Sequence, residues 1–170
     1  MLNDSLPKYF DPRQYANQGI AIAGHLPLKQ LKELCTILAS DEGDAYIHLD
    51  FRVEEDKRYV ATGSLNATVH VVCQRCMEAV PQKLSVGLLL AFVSDEDHAQ
   101  HISIDYEPVV MTDGDVSVAD IVEQEIILAL PIVAYHEESG CNPTAVKYAS
   151  FTDDAQTPNP FSVLAYLKVK

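Results

Sequence analysis

A chain of 170 residues, nearly half of them apolar, can bury a sizeable core and is too apolar for wholesale disorder. Its 25 acidic and 12 basic residues leave a formal charge of −13, which repels phosphate backbones and argues against non-specific nucleic-acid binding. The most apolar runs, 86–93 and 126–135, are too short to cross a bilayer, and an amino terminus bearing Asp4 lacks a basic-then-apolar export pattern, so a cytoplasmic protein is expected.

Residues 1–24 contain Pro7, Pro12, Gly19 and Gly24 and read as an extended segment tied to the body. Over 27–40, Leu28, Leu31, Leu34, Cys35 and Leu38 recur at helical spacing, which predicts one helix opening at Pro27. Cys35 lies in that stripe and reads as a small buried hydrophobe.

The clearest β pattern follows. Ala45, Ile47, Leu49, Phe51 and Val53 alternate with polar residues, and Glu54 to Arg58 make a charged turn. A second run alternates through Ala61, Gly63, Leu65, Ala67, Val69, Val71 and Cys73. A third places Leu84, Val86, Leu88, Leu90 and Phe92 on one face. Three such runs with short turns predict an antiparallel meander with one buried face. His48 and His70 fall on the polar register, so they read as exposed strand residues rather than ligands.

Residues 94–101 read as an acidic loop. Residues 102–111 read as extended chain, with Pro108 confining them to an edge or bend. Asp113-Gly114-Asp115 is a turn without the further oxygen ligands of a calcium loop. A helix is expected over 118–130, with Ser117 as its N-cap and Pro131 as its stop. Glu125 projects into the apolar stripe of that helix, so an ion pair with Arg52 or Arg75 is expected. Residues 152–159 read as a polar linker. Asn159 then caps a short helix from Pro160, whose Phe161, Leu164 and Leu167 suit docking on a groove.

The strongest chemical feature is Cys73-Gln74-Arg75-Cys76, placed where the second strand turns into the third. Two thiolates at that spacing can clasp one ion, and His136 and Cys141 are the natural remaining ligands of a structural zinc. Two other readings stand beside it: a thiol-dependent redox pair activated by Arg75, and two free cysteines in a reduced turn. No phosphate loop, nucleophile elbow or zinc-protease helix is present, so no residue is named as catalytic.

Several of these segments resemble the YceD family, described as large ribosomal RNA subunit accumulation proteins. They are Cys73-Gln-Arg-Cys76, the run from Val122 to Val133, His136 with Cys141, and Pro158-Asn-Pro-Phe161 with Leu164, Leu167 and Lys168. The likeness covers nearly the whole chain in the same order and is weakest before Asp44. It implies a cytoplasmic role in synthesis, processing or stability of 23S ribosomal RNA and supplies no catalytic residues. Some branches of the family carry a second cysteine pair near the carboxyl terminus. Here Cys141 stands alone in that region, which makes His136 necessary to any four-ligand site.

The expectation is therefore one α+β domain over 1–170. An antiparallel sheet of four to six strands is covered by two helices, with a short C-terminal docking helix. Its function is expected to be non-enzymatic and to work through a ribosomal or ribosome-assembly protein. Arg75, Glu123, Asn159, Pro160 and Phe161 are the candidate contacts. The rivals are an RNA-processing or thiol-dependent enzyme using Cys73 and Cys76, and a direct RNA-binding module.

Overall fold

The computed structural model describes residues 6–55, 57–111, 114–137 and 141. The first of these depart from the extended segment expected of them. Strand β1 (Tyr9–Phe10) is followed by helix α1 (Pro12–Gln18) and strand β2 (Ala21–Pro27). The helix signals are local and complete. The Asp11 carboxylate accepts from the Arg13 N–H at 2.9 Å, Pro12 stands where no N–H is needed, and Gly19 closes the helix at φ 60°. Strand β2 is harder to read because one of its buried positions is Gly24, which contributes no side chain to an alternation.

The helix expected over 27–40 is divided. A 3₁₀ turn spans Leu28–Gln30, Leu31 is extended at φ −93° and ψ 90°, and helix α2 covers only Lys32–Ile37. Leu28, Leu31 and Leu34 are all buried. Their three-residue spacing suits a tight turn, whose side chains eclipse at i and i+3, as well as an α-helix. Beyond α2 the sheet captures the chain: the Ala39 N–H donates to the His70 carbonyl at 2.7 Å, and Ser40 bridges to His70.

Strands β3 (Asp44–Val53), β4 (Tyr59–Val72) and β5 (Ala79–Val93) form the expected antiparallel meander. Ile47, Leu49, Leu65, Val69 and Leu90 are among its fully buried side chains. Strand β2 pairs antiparallel with β3. The acidic stretch read as a loop contains a short helix, α3 (Glu96–Ala99), capped by Asp95, which accepts from the His98 N–H at 2.9 Å. Strand β6 (Glu107–Val110) carries Pro108 at the sheet edge, as its proline requires, but pairs parallel with β5. A parallel neighbour needs a crossover, which residues 94–106 supply. The sheet order is β2-β3-β4-β5-β6.

Strand β7 (Val116–Ser117) pairs antiparallel with β1 and leads directly into helix α4 (Val118–Ala129). The Ser117 hydroxyl accepts from the Asp120 N–H at 3.2 Å, the cap expected from sequence. Val118, Ile121, Val122 and Ile126 bury the inner face of α4 in the same core as the sheet and α2. Phe10, Tyr15, Phe51 and Phe92 form an aromatic cluster with ring centroids 5.0–5.9 Å apart, fastening the N-terminal elements to the meander. The architecture is α+β, as expected, with more helix and strand at the amino end than the sequence pattern indicated. The linker at 152–159 and the helix expected from Pro160 lie outside the described residues.

Glu125 does sit in the buried face of α4, at 7% exposure, but neither expected arginine meets it. The Arg52 guanidinium donates to the Thr62 hydroxyl and pairs with Glu54, while Arg75 lies over the Tyr135 ring. Its partner is Glu107, at the start of β6. Burial, and then a hydrogen bond to the Glu107 carboxyl, push Glu125 up to about 7. A carboxyl neighbour stands where a cation was expected. Because the folded value lies above the unfolded one, the stabilisation is present in full below about pH 4.5 and is lost as pH rises through about 7. Glu125→Gln is therefore expected to flatten the pH dependence of the urea midpoint between pH 5 and 8. It should also raise stability at pH 8, by about 1–2 kcal/mol. An unchanged slope would place the titration elsewhere.

Candidate metal centre

The turn between β4 and β5 is a knuckle built from backbone hydrogen bonds. The Cys73 N–H donates to the Glu78 carbonyl at 2.8 Å, and the Met77 N–H donates back to the Cys73 carbonyl at 2.9 Å. Met77 takes a φ of 63° to close it. This folds Cys73 and Cys76 toward the same side.

The chain leaving α4 returns across the knuckle. Pro131 ends the helix, and the Gln74 N–H donates to the Ala134 carbonyl at 2.9 Å while its side-chain amide reaches the Ile132 carbonyl at 3.3 Å. The Arg75 guanidinium covers the Tyr135 ring at 5.3 Å. These contacts bring His136 and Cys141 over the two knuckle cysteines, although they are 60 or more positions away in sequence.

The four donor atoms of Cys73, Cys76, His136 and Cys141 all lie within 4.8 Å of one another. The Cys73 and Cys141 sulfurs are 3.8 Å apart, Cys76 Sγ is 3.3 Å from His136 Nδ1, and Cys141 Sγ is 3.9 Å from the same nitrogen. For zinc–sulfur bonds of about 2.3 Å, the edge of a tetrahedron is about 3.8 Å. The spacing is that of ligands around one ion, and far too long for a disulfide; all four cysteines are free.

The environment agrees with the spacing. His136 Nε2 lies 3.0 Å from the Ala79 carbonyl, so the ring proton belongs on Nε2 and the Nδ1 lone pair faces the sulfurs. Burial opposes ionisation of Cys73. The backbone N–H groups of Cys76, Arg75 and His136 outweigh it and hold that thiol down at about 5. Burial pushes the Cys141 thiol up, reinforced by hydrogen bonds to Cys73 and Cys76 and by their charge. Three sulfurs this close cannot all ionise without a cation between them. The cluster can hold a metal ion.

The sequence foresaw these four residues as a set. It carried no sign of the Ala79 carbonyl or of Gln74, because the first acts through backbone alone and glutamine at a turn has no distinctive pattern. Cys35, read as a stripe residue, stays apart from the cluster, with its thiol donating to the Leu28 carbonyl at 3.3 Å. His48 lies beside Asp50 at 3.6 Å, and His70 is half-buried under the Ser40 bridge; neither joins the cluster. The knuckle runs straight into β5, so no helix opens after Cys76 as a thioredoxin-type thiol pair would need.

The candidate contact residues separate. Arg75 is part of the knuckle. Glu123 caps α2 from a distance, accepting from the Glu33 and Leu34 N–H groups at 2.7 and 3.0 Å. Asn159, Pro160 and Phe161 lie outside the described residues.

The model of the family described as "Large ribosomal RNA subunit accumulation protein YceD" matches residues 61–168. The Haemophilus influenzae protein of that name is 32% identical over 169 residues, covering 97% of each chain. No solved structure matches the chain. The family match contains nearly all of the meander's second strand, its third strand, α4 and all four residues of the cluster, and the relative extends the likeness over 97% of the chain: the chain belongs to the YceD family.

Proposed function

We propose that this chain is a non-enzymatic factor in accumulation of 23S ribosomal RNA, held in its working form by one structural zinc at Cys73, Cys76, His136 and Cys141. The family and its named relative support the first part. The single observation that carries the second is the donor set: three sulfurs and one nitrogen complete a tetrahedron and leave no position for a reacting water. Catalytic zinc keeps such a position open, so the set favours a structural role over an RNA-cleaving one. When bound, the ion would neutralise the thiolates and clamp the segment after α4 to the knuckle.

The mode of action follows from charge. A chain with a formal charge of −13 repels ribosomal RNA and attracts basic proteins, so it acts through a ribosomal or assembly-factor partner. In a deletion strain, mature 23S RNA should fall relative to 16S RNA and recover on complementation. Complementation by Cys76→Ser should be weaker. An unchanged 23S to 16S ratio, in both fast growth and cold, would contradict the proposal.

A further inference from the structure

Away from the metal centre, a cavity of about 520 Å³ opens between α1, the β3–β4 turn, the end of β5 and α3. Its apolar lining is the half-buried Tyr59 ring with Val93, Ile102 and the buried edges of Phe92 and Met111. Its rim carries Arg13, Lys57, Arg58, His98 and His101. Three of the chain's 12 lysines and arginines and two of its six histidines therefore meet at one opening. None of the described residues lining it is acidic, in a chain with 25 acidic residues.

The rim side chains come from separate elements. Arg13 is exposed in the first turn of α1, and its backbone N–H alone is used by the Asp11 cap. Lys57 is exposed and held at φ 66°, a conformation that asparagine or glycine adopts more readily than lysine. Arg58 is already engaged, with Glu54 at 3.3 Å and the Tyr106 ring beneath it, and serves as a wall. The His98 ring is fixed by Asp95 at 2.6 Å.

We propose that this cavity binds a nucleoside 5′-phosphate, with the base against the Tyr59 ring and the apolar lining and the phosphate at Arg13 and Lys57. The volume is that of a small-molecule site, which runs from about 300 to 1,000 Å³. An apolar lining that includes the Tyr59 ring, with the exposed Arg13 and Lys57 beside it, matches a ligand with a flat ring at one end and an anion at the other. An overall charge of −13 disfavours a long polyphosphate strand, whereas one phosphate needs only the two exposed side chains of Arg13 and Lys57. The site is independent of the metal centre and of the large-subunit reading.

Ring-proton resonances of His98 and His101, followed by NMR in the full-length protein, test it. Guanosine and adenosine 5′-monophosphates should shift them saturably. The unphosphorylated nucleosides and inorganic phosphate alone should each bind at least ~10-fold more weakly. Lys57→Asn and Arg13→Gln should each weaken the monophosphate ~10-fold without lowering the thermal midpoint, since both side chains are exposed and asparagine suits the φ of residue 57. A 5′-phosphorylated trinucleotide, compared with its 5′-hydroxyl form and with the free nucleotide, distinguishes the sources. Tighter binding of the phosphorylated strand indicates an RNA end, and tighter binding of the free monophosphate indicates a nucleotide ligand. Absence of saturable shifts, or equal binding by wild type and both variants, would overturn the proposal.

Discussion

Cys76→Ser is expected to abolish metal binding and to lower stability by about 2–4 kcal/mol. The serine hydroxyl is a poor zinc ligand, and losing one of four donors opens the site. The magnitude is set by what the ion would hold. In small zinc domains the metal creates the fold, but here Leu28, Ile47, Leu65, Leu90 and Ile126 are fully buried in a core that extends well beyond Cys73 and Cys141. The loss therefore falls on the clamp between the knuckle and the segment carrying Ala134, His136 and Cys141. Hydrogen exchange should rise at the Gln74 N–H, whose acceptor is the Ala134 carbonyl, while the β3–β4 ladder remains protected. Cys35→Ser is the matched control. Its thiol donates to the Leu28 carbonyl and lies outside the four-residue cluster, so metal content should be unchanged and the cost about 1 kcal/mol. Equal losses from the two variants would remove the metal from the explanation.

Gly63→Ala is expected to cost about 3 kcal/mol or more, a large effect for adding one methyl group. Gly63 lies in β4 opposite Leu49 of β3. A Cβ there would stand 1.8 Å from the His48 carbonyl oxygen and 2.8 Å from its carbon. Both atoms belong to the backbone of the neighbouring strand, so no side-chain rotation relieves the clash. The two strands must separate in the middle of the sheet. One strand further along, Gly87 of β5 has no atom within 4 Å of the corresponding Cβ. Gly87→Ala should be neutral or stabilising by about 0.5 kcal/mol, because alanine restricts the unfolded chain more than glycine does. Chemical denaturation of the two variants gives the comparison directly. Similar midpoints would show that β3 and β4 are less closely apposed than this.

The meander was legible because its inward residues are large and alternate without interruption, from Ala45 to Phe51 and from Leu84 to Phe92. Helix α4 was legible for a similar reason, with a serine cap before it and a proline after it. Helix α1 carried equally good punctuation in Asp11, Pro12 and Gly19. Pro12 and Gly19, read as marks of irregular chain, are the boundaries of a seven-residue helix. The break at Leu31 was not legible, since leucines three apart satisfy both a 3₁₀ turn and an α-helix. Glu125 was correctly placed in the core but wrongly paired. Sequence patterns favour opposite charges, and only the fold brings β6 beside β5 and Glu107 to the helix. That Cys73, Cys76, His136 and Cys141 could form one set was legible through their residue types. Its closure depends on long-range backbone contacts, from Gln74 to Ala134 and from His136 to Ala79, that no local spacing encodes.

The most direct test of the central claim is metal content in full-length protein purified without chelator, with the thiols confirmed reduced. The three sulfurs and one nitrogen predict about one zinc per chain, with metal–sulfur distances near 2.3 Å by X-ray absorption. Fully reduced protein carrying no metal, and gaining none when zinc is supplied, would contradict it.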